Sequence, residues 1–254
     1  MSDRPTVGLF VTCLVDLVRP QVGFAAIKLL EQAGCEVVVP RNQTCCGQPA
    51  WNAGANKHAA DIARQVVQKF EAFEYIVAPS GSCAGTLRRH YPEILKHDPD
   101  FAPRAKAVAN KTHELMQFLV DVRGMNHLEA NFKGSLCYHD SCSSLREMGV
   151  QAQPRKLLQS LGAEICEFKD SQVCCGFGGL FAVKYPDISE RMADDKIADA
   201  VGTGAQTLAG GDLGCLLHLA GRMKRRGIEM DVRHVAEILA GETAPPLGRP
   251  GKAR

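Results

Sequence analysis

A Cys-Cys-Gly tripeptide occurs twice in this chain, each time at the same distance after an earlier cysteine. Cys13 is followed by 31 residues and then Cys45-Cys46-Gly47, and Cys142 by 31 residues and then Cys174-Cys175-Gly176. The cysteines recur at an offset of 129. Lys28-Leu29-Leu30 before Gly34 matches Lys156-Leu157-Leu158 before Gly162 at 128, so a single one-residue gap aligns the copies. One further cysteine closes each set, Cys83 in the first and Cys215 in the second. Self-similarity at a fixed spacing marks a repeated structural unit. The expected units are residues 1–125 and 130–245. Pro245, Pro246 and Pro250 mark a loose tail, placed at 246–254.

Both copies read in the same order. Apolar runs Val7 to Val11 and Ser135 to Tyr138 read as buried strands that end at Cys13 and Cys142. Amphipathic helices are expected at about Gln21 to Gln32 and Pro154 to Leu161, each stopped near a glycine. Second strands, Cys35 to Val39 and Ala163 to Phe168, lead into the Cys-Cys-Gly loops. Long helices then run over about Asn56 to Phe73 and Pro186 to Ala200. Third strands, Tyr75 to Ala78 and Gln206 to Leu208, lead to Cys83 and Cys215. The segment Phe101 to His127 reads as mostly helical and joins the halves. Strands alternating with helices predict an α/β fold: a tandem duplication of a small parallel-sheet unit with pseudo-two-fold symmetry. In such sheets ligands sit beyond the carboxyl ends of the strands, where all four cysteines of each copy fall.

Composition narrows the chemistry. Net charge is +2, with no broad basic field for nucleic acid. The one dense basic run, Arg222, Lys224, Arg225 and Arg226, reads as a solvated helix end. No run of 18 apolar residues predicts a membrane span, and the N-terminus lacks a signal pattern. A cytoplasmic location follows as the expectation. In a reducing compartment disulfides are rare, so eleven cysteines, an odd number, point to metal or redox chemistry.

Four cysteines per half equal the ligand count of a zinc site or an iron–sulfur cluster. The metal-ligand candidates are Cys13, Cys45, Cys46 and Cys83, with Cys142, Cys174, Cys175 and Cys215. Adjacent cysteines do not easily reach one metal ion, and no Cys-x-x-Cys pair is present, which favours a multinuclear cluster; zinc in one half stays open. Gly47 and Gly176 are candidates for close backbone approach to such a group. Cys35, Cys137 and Cys166 fall outside the repeat and read as small buried hydrophobes, Cys137 least securely. His139 and Asp140, just before Cys142, are the candidate catalytic pair, for proton movement or substrate orientation. His218, one helical turn after Cys215, is a weaker candidate. Trp51 stands where it could shield the first site. Neither half carries a dinucleotide fingerprint or a P-loop. Thiol–disulfide chemistry at the vicinal pairs is the remaining alternative.

The doubled pattern resembles the CCG cysteine-rich domain found in the cysteine-rich subunit of heterodisulfide reductase and in the iron–sulfur subunits of glycolate oxidase and anaerobic glycerol-3-phosphate dehydrogenase. It also forms the lactate utilisation protein A family. The longer relatives carry a ferredoxin-like region that is absent from this sequence, so the chain is most similar to the stand-alone lactate utilisation type. That resemblance implies one or two iron–sulfur clusters, [4Fe–4S] or noncubane. It implies a complex oxidising a 2-hydroxy acid, L-lactate, to pyruvate, with a ferredoxin-like iron–sulfur subunit and a third small subunit as partners. The heterodisulfide reductase subunit has a fifth cysteine ligand where this chain has Ser80 and Asp212, which makes these two possible extra ligands.

Overall fold

The computed structural model describes residues 4–248. Two four-stranded parallel sheets form the frame. In the first, β1 (Thr6–Leu9), β2 (Glu36–Val38), β3 (Tyr75–Ala78) and β4 (Thr112–Glu114) lie in the order β2-β1-β3-β4. In the second, β5 (Ser135–His139), β6 (Glu164–Ile165), β7 (Thr207–Gly210) and β8 (Asp231–His234) lie in the order β6-β5-β7-β8. The fold class and the duplication are as the sequence predicts. The central strands are buried because helices cover both faces, as all-parallel sheets require.

The helices follow local signals. Pro20 begins the helix Pro20–Gln32, and Gly34, at φ 77°, turns the chain out of it. The helix Asn56–Phe70 buries Ala59, Ala63, Val66, Val67 and Phe70 on one stripe. Its counterpart is Pro186–Gly202. The expected helix at Pro154 to Leu161 spans Ala152–Ser160, and the third strand of the second half runs on to Gly210.

Two elements differ from the sequence reading. The linking segment, expected as helix, contains the strand β4 between the helices Ala102–Asn110 and Leu115–Gln117. The second half likewise has a fourth strand, β8. Both edge strands are polar and short, and each ends on a residue that caps the next helix: Glu114 accepts from Met116 N–H, and the His234 ring accepts from Ala236 N–H. Such residues do not give the alternating apolar pattern that identifies a half-buried strand. The second strand of the second half is also shorter than expected, with only Glu164–Ile165 paired as strand.

One apolar core runs from the first half into the second through Leu136, Tyr138, Leu157 and Leu158. A second core joins Val15 and Val22 of the first half to the second sheet. Polar links tie the halves as well. Arg19 Nε meets Glu237 Oε1 at 2.8 Å, and Lys28 Nζ donates to Ala240 O at 2.7 Å. Within the expected tail, Leu247 is buried and its N–H donates to Val232 O on β8 at 2.8 Å. Pro250 and the rest of the expected tail beyond 248 lie outside the described residues. Among the described residues no helix is long and apolar enough to cross a membrane.

Candidate metal centres

The parallel sheets bring distant cysteines together at the carboxyl ends of their strands. Cys13 opens the helix that follows β1, and Cys83 lies in the helix that follows β3. Cys142 and Cys215 occupy the same places after β5 and β7. The Cys-Cys-Gly loops arrive after β2 and β6. In the first half the thiol of Cys13 meets that of Cys45, Cys45 meets Cys46, and Cys46 meets Cys83. The second half repeats the chain of contacts: Cys142, Cys174, Cys175, Cys215. All eleven cysteines are free thiols.

This crowding sets the electrostatics. Hydrogen bonds from Cys13 and Cys46 pull Cys45 down to about 2, and bonds from Cys142 and Cys175 do the same to Cys174. The same contacts push Cys13, Cys46, Cys142 and Cys175 up. A set of thiols that shares protons this closely is suited to shed them together to a metal, which binds the thiolate. The soft, all-sulfur donor set fits iron–sulfur clusters and zinc.

The glycine of each tripeptide has a specific task. Gly47 and Gly176 sit at φ 83° and 87°, where a side chain is strained. Their N–H groups donate to the sulfurs of Cys45 and Cys174 at 3.5 and 3.4 Å, supporting negative charge there. Thr12, just before Cys13, is a β-branched residue at φ 76°. Strain of this kind gathers at functional sites.

Cys46, Cys83, Cys175 and Cys215 are buried, while Cys13, Cys45, Cys142 and Cys174 are partly exposed, so each set has a dry and a wet side. On the wet side of the first set lies a cavity of about 550 Å³, lined by Cys13 and Cys45 with Asp16, Leu17, Arg41 and Gln43. Gln43 holds this loop to the end of β1: its Oε1 accepts from Val11 N–H at 3.0 Å and its Nε2 donates to Leu9 O at 2.9 Å.

The remaining candidates separate clearly. Ser80 and Asp212 meet each other across the halves, Ser80 Oγ donating to Asp212 Oδ2 at 3.1 Å. Asp212 also accepts from Ser82 N–H at 3.0 Å and caps its own helix at Gly214 N–H, 3.2 Å. The two positions thus serve as helix caps and as a clasp between the sites. Asp140 is buried and forms a two-pronged pair with Arg155, at 2.8 and 2.9 Å. Its carboxylate faces that guanidinium rather than the thiols. His139 faces the second thiol set. Its ring nitrogen lies within 4.8 Å of the sulfurs of Cys175 and Cys215, and burial drives it down to about 3, so it is neutral. His218 Nε2 lies 3.3 Å from Ser189 Oγ, and its ring sits 5.9 Å from that of Phe177 at a tilt of 46°. Trp51 packs by His90. Cys35 and Cys137 are buried in the apolar cores, and Cys166 packs against one. Within the basic run at this helix end, Arg222 and Arg226 are paired with Asp194, and Lys224 and Arg225 are exposed.

The residue that sequence reasoning missed is Lys196. It is buried, donates to Asp170 O and lies 5.0 Å from the centre of the Phe168 ring, close enough to Cys175 and Asp140 to feel their charge. A lysine on an amphipathic helix gives no signal of burial by itself.

A duplicated α/β chain with four converging thiols in each half defines a cysteine-rich domain protein, and comparison agrees. The family model of the CCG cysteine-rich domain matches residues 7–88 and again 136–220. The chain is 47% identical over 234 residues to lactate utilization protein A of Oceanobacillus iheyensis, covering 92% of this chain and 96% of the relative. It is likewise 47% identical to lactate utilization protein A of Bacillus cytotoxicus, covering 92% and 98%. The chain therefore belongs to the CCG cysteine-rich domain family, among its lactate utilization protein A members. A solved structure of a hypothetical protein from Helicobacter pylori shares the fold at TM-score 0.67 and 12% identity. The match covers 94% of this chain and 50% of that one, so this chain spans about half its length.

Proposed function

We propose that this chain is an iron–sulfur subunit of a cytoplasmic oxidoreductase system that oxidises L-lactate to pyruvate. The observation that carries the reading is the paired set of four contacting thiols, in a chain 47% identical to proteins named for lactate utilization. Cys13, Cys45, Cys46 and Cys83 would hold one cluster, and Cys142, Cys174, Cys175 and Cys215 the other, of [4Fe–4S] or noncubane type. Oxidation of a 2-hydroxy acid to a 2-oxo acid releases two electrons and two protons. A bound cluster supplies one-electron transfer.

The chain's own residues prepare that chemistry. The buried cysteines keep water from one side of each site, and burial with N–H donors to sulfur tunes potential. The Gly47 and Gly176 N–H groups supply such donors. The partly exposed sulfurs of Cys13, Cys45, Cys142 and Cys174 give electrons a short way in and out. Leu17, 79% exposed, and Val39 border the first of these openings, and the exposed Val173 adjoins the second. Exposed apolar side chains beside the openings support docking of partners, which the family resemblance makes a ferredoxin-like iron–sulfur subunit and a third small subunit.

The test is replacement of a relative. In Bacillus cytotoxicus lacking its own lactate utilization protein A, this chain restores growth on L-lactate. The Cys174→Ser variant, present at equal abundance, does not. Growth restored equally by Cys45→Ser and Cys174→Ser chains, or restored on glycolate but not on L-lactate, contradicts the proposal.

A further inference from the structure

The two thiol sets are alike, but their surroundings are not, and His139 carries the difference. It is the last residue of β5, three positions before Cys142. Its counterpart under the repeat is Phe10, three positions before Cys13, whose ring packs on Phe70 at 5.6 Å. Where the first half has a hydrocarbon ring, the second has an imidazole 1% exposed. Neither ring nitrogen of that imidazole has a hydrogen-bond partner. A buried polar atom without a partner loses its water hydrogen bonds and gains none in return, and native structures rarely leave one without reason. This ring leaves two. A ring nitrogen and the sulfurs of Cys175 and Cys215 all lie within 4.8 Å of one another. These are the two buried thiols, on the dry side of the set.

We propose that His139 is a nitrogen ligand of the second-half centre, which makes that centre a mixed sulfur–nitrogen site, distinct from the all-sulfur centre of the first half. The inference rests on the iron–sulfur reading above. Ligation gives one orphaned nitrogen its partner, and imidazole is the commonest side-chain metal ligand. It also supplies a donor beyond the four thiols, in the half where Asp212 is engaged with Ser80, Ser82 and Gly214. The buried ammonium of Lys196 lies close enough to Cys175 to act on this centre, where a nearby cation favours the added electron. The second centre is therefore the easier of the two to reduce.

The test uses the full chain, purified without oxygen and reconstituted with iron and sulfide. Protein grown with ¹⁵N-histidine on an otherwise ¹⁴N background is reduced and measured by pulsed EPR. A nitrogen coupling that changes from the ¹⁴N to the ¹⁵N pattern with the labelled histidine is the expected result. It persists in His218→Ala. It disappears in His139→Phe, which copies the first half. If His139→Phe fails to fold, the label in wild-type chain and in His218→Ala still decides. Normal iron and sulfide without a histidine-dependent coupling overturns the ligand assignment and leaves the iron–sulfur reading standing. A coupling lost in His218→Ala and kept in His139→Phe also overturns it. No iron or sulfide at all removes both.

Discussion

The glycine of each Cys-Cys-Gly tripeptide offers a comparison whose outcome the structure sets in advance. Gly47→Ala and Gly176→Ala make the same change at equivalent points of the repeat. Both place a side chain at positive φ, 83° and 87°, at a cost of about 1–2 kcal/mol. Both gain the same small amount by stiffening the unfolded chain, which cancels in the comparison. What differs is the space. A Cβ at Gly47 would meet Ile62 Cγ2 at 3.2 Å, a tight contact that a shift of a few tenths of an ångström relieves. A Cβ at Gly176 would lie 2.7 Å from Ser189 O and 2.9 Å from Met192 Cβ. Those atoms belong to the helix Pro186–Gly202, whose backbone cannot move alone. Overpacking of this kind adds about 1–3 kcal/mol. Gly176→Ala should therefore cost about 2–5 kcal/mol and Gly47→Ala about 1–2. In a chain of this size about 1 kcal/mol moves Tm by roughly 2–4 °C. Thermal unfolding of the metal-free proteins, followed by circular dichroism, reads the difference. Equal shifts, or a larger one for Gly47→Ala, would refute the packing argument.

Two further outcomes follow from buried charge. Arg155→Met leaves the fully buried Asp140 carboxylate without its partner and should destabilise the chain by about 3–5 kcal/mol in urea unfolding, with Asp140→Asn added to it restoring part of the loss; no recovery would show that the pair does not act as a unit. Glu114, raised by burial to about 8, stays protonated in the fold while its unfolded form ionises near 4.5, so its contribution to native stability is greatest below 4.5 and falls as pH rises towards 8. Glu114→Gln keeps an oxygen to accept from Met116 and Gln117 N–H and removes that fall. Its stability advantage should grow by about 1.4 kcal/mol per pH unit across this window, and urea midpoints that track wild type from pH 5 to 8 would refute it.

How much of this was legible in the sequence varies with the range of the interaction. The cysteine spacing, the glycines and the apolar runs around them specify the repeat and the placement of eight thiols at strand ends. All of these are local or periodic signals. The edge strands were not legible: Thr112-His113-Glu114 and Asp231-Val232-Arg233-His234 are polar, and part of that polarity serves the caps of the helices that follow. The clasp of Ser80 on Asp212 spans 132 residues of sequence, and no local pattern announces it. Asp140 reads as a reactive group because it stands by Cys142, and only the fold shows Arg155 holding it. Lys196 and the orphaned ring of His139 depend on burial, which a lone residue type does not reveal.

The presence of two four-thiol centres in one chain is tested most directly by metal analysis of protein kept from oxygen. Iron, acid-labile sulfide and zinc are measured per chain in wild type, Cys45→Ser and Cys174→Ser. Two centres predict iron and sulfide in near-equal amounts in wild type, with each replacement removing about half and leaving the other centre's EPR signal in place. Zinc alone, with no sulfide even after reconstitution, or iron and sulfide unchanged in both replacements, would contradict them.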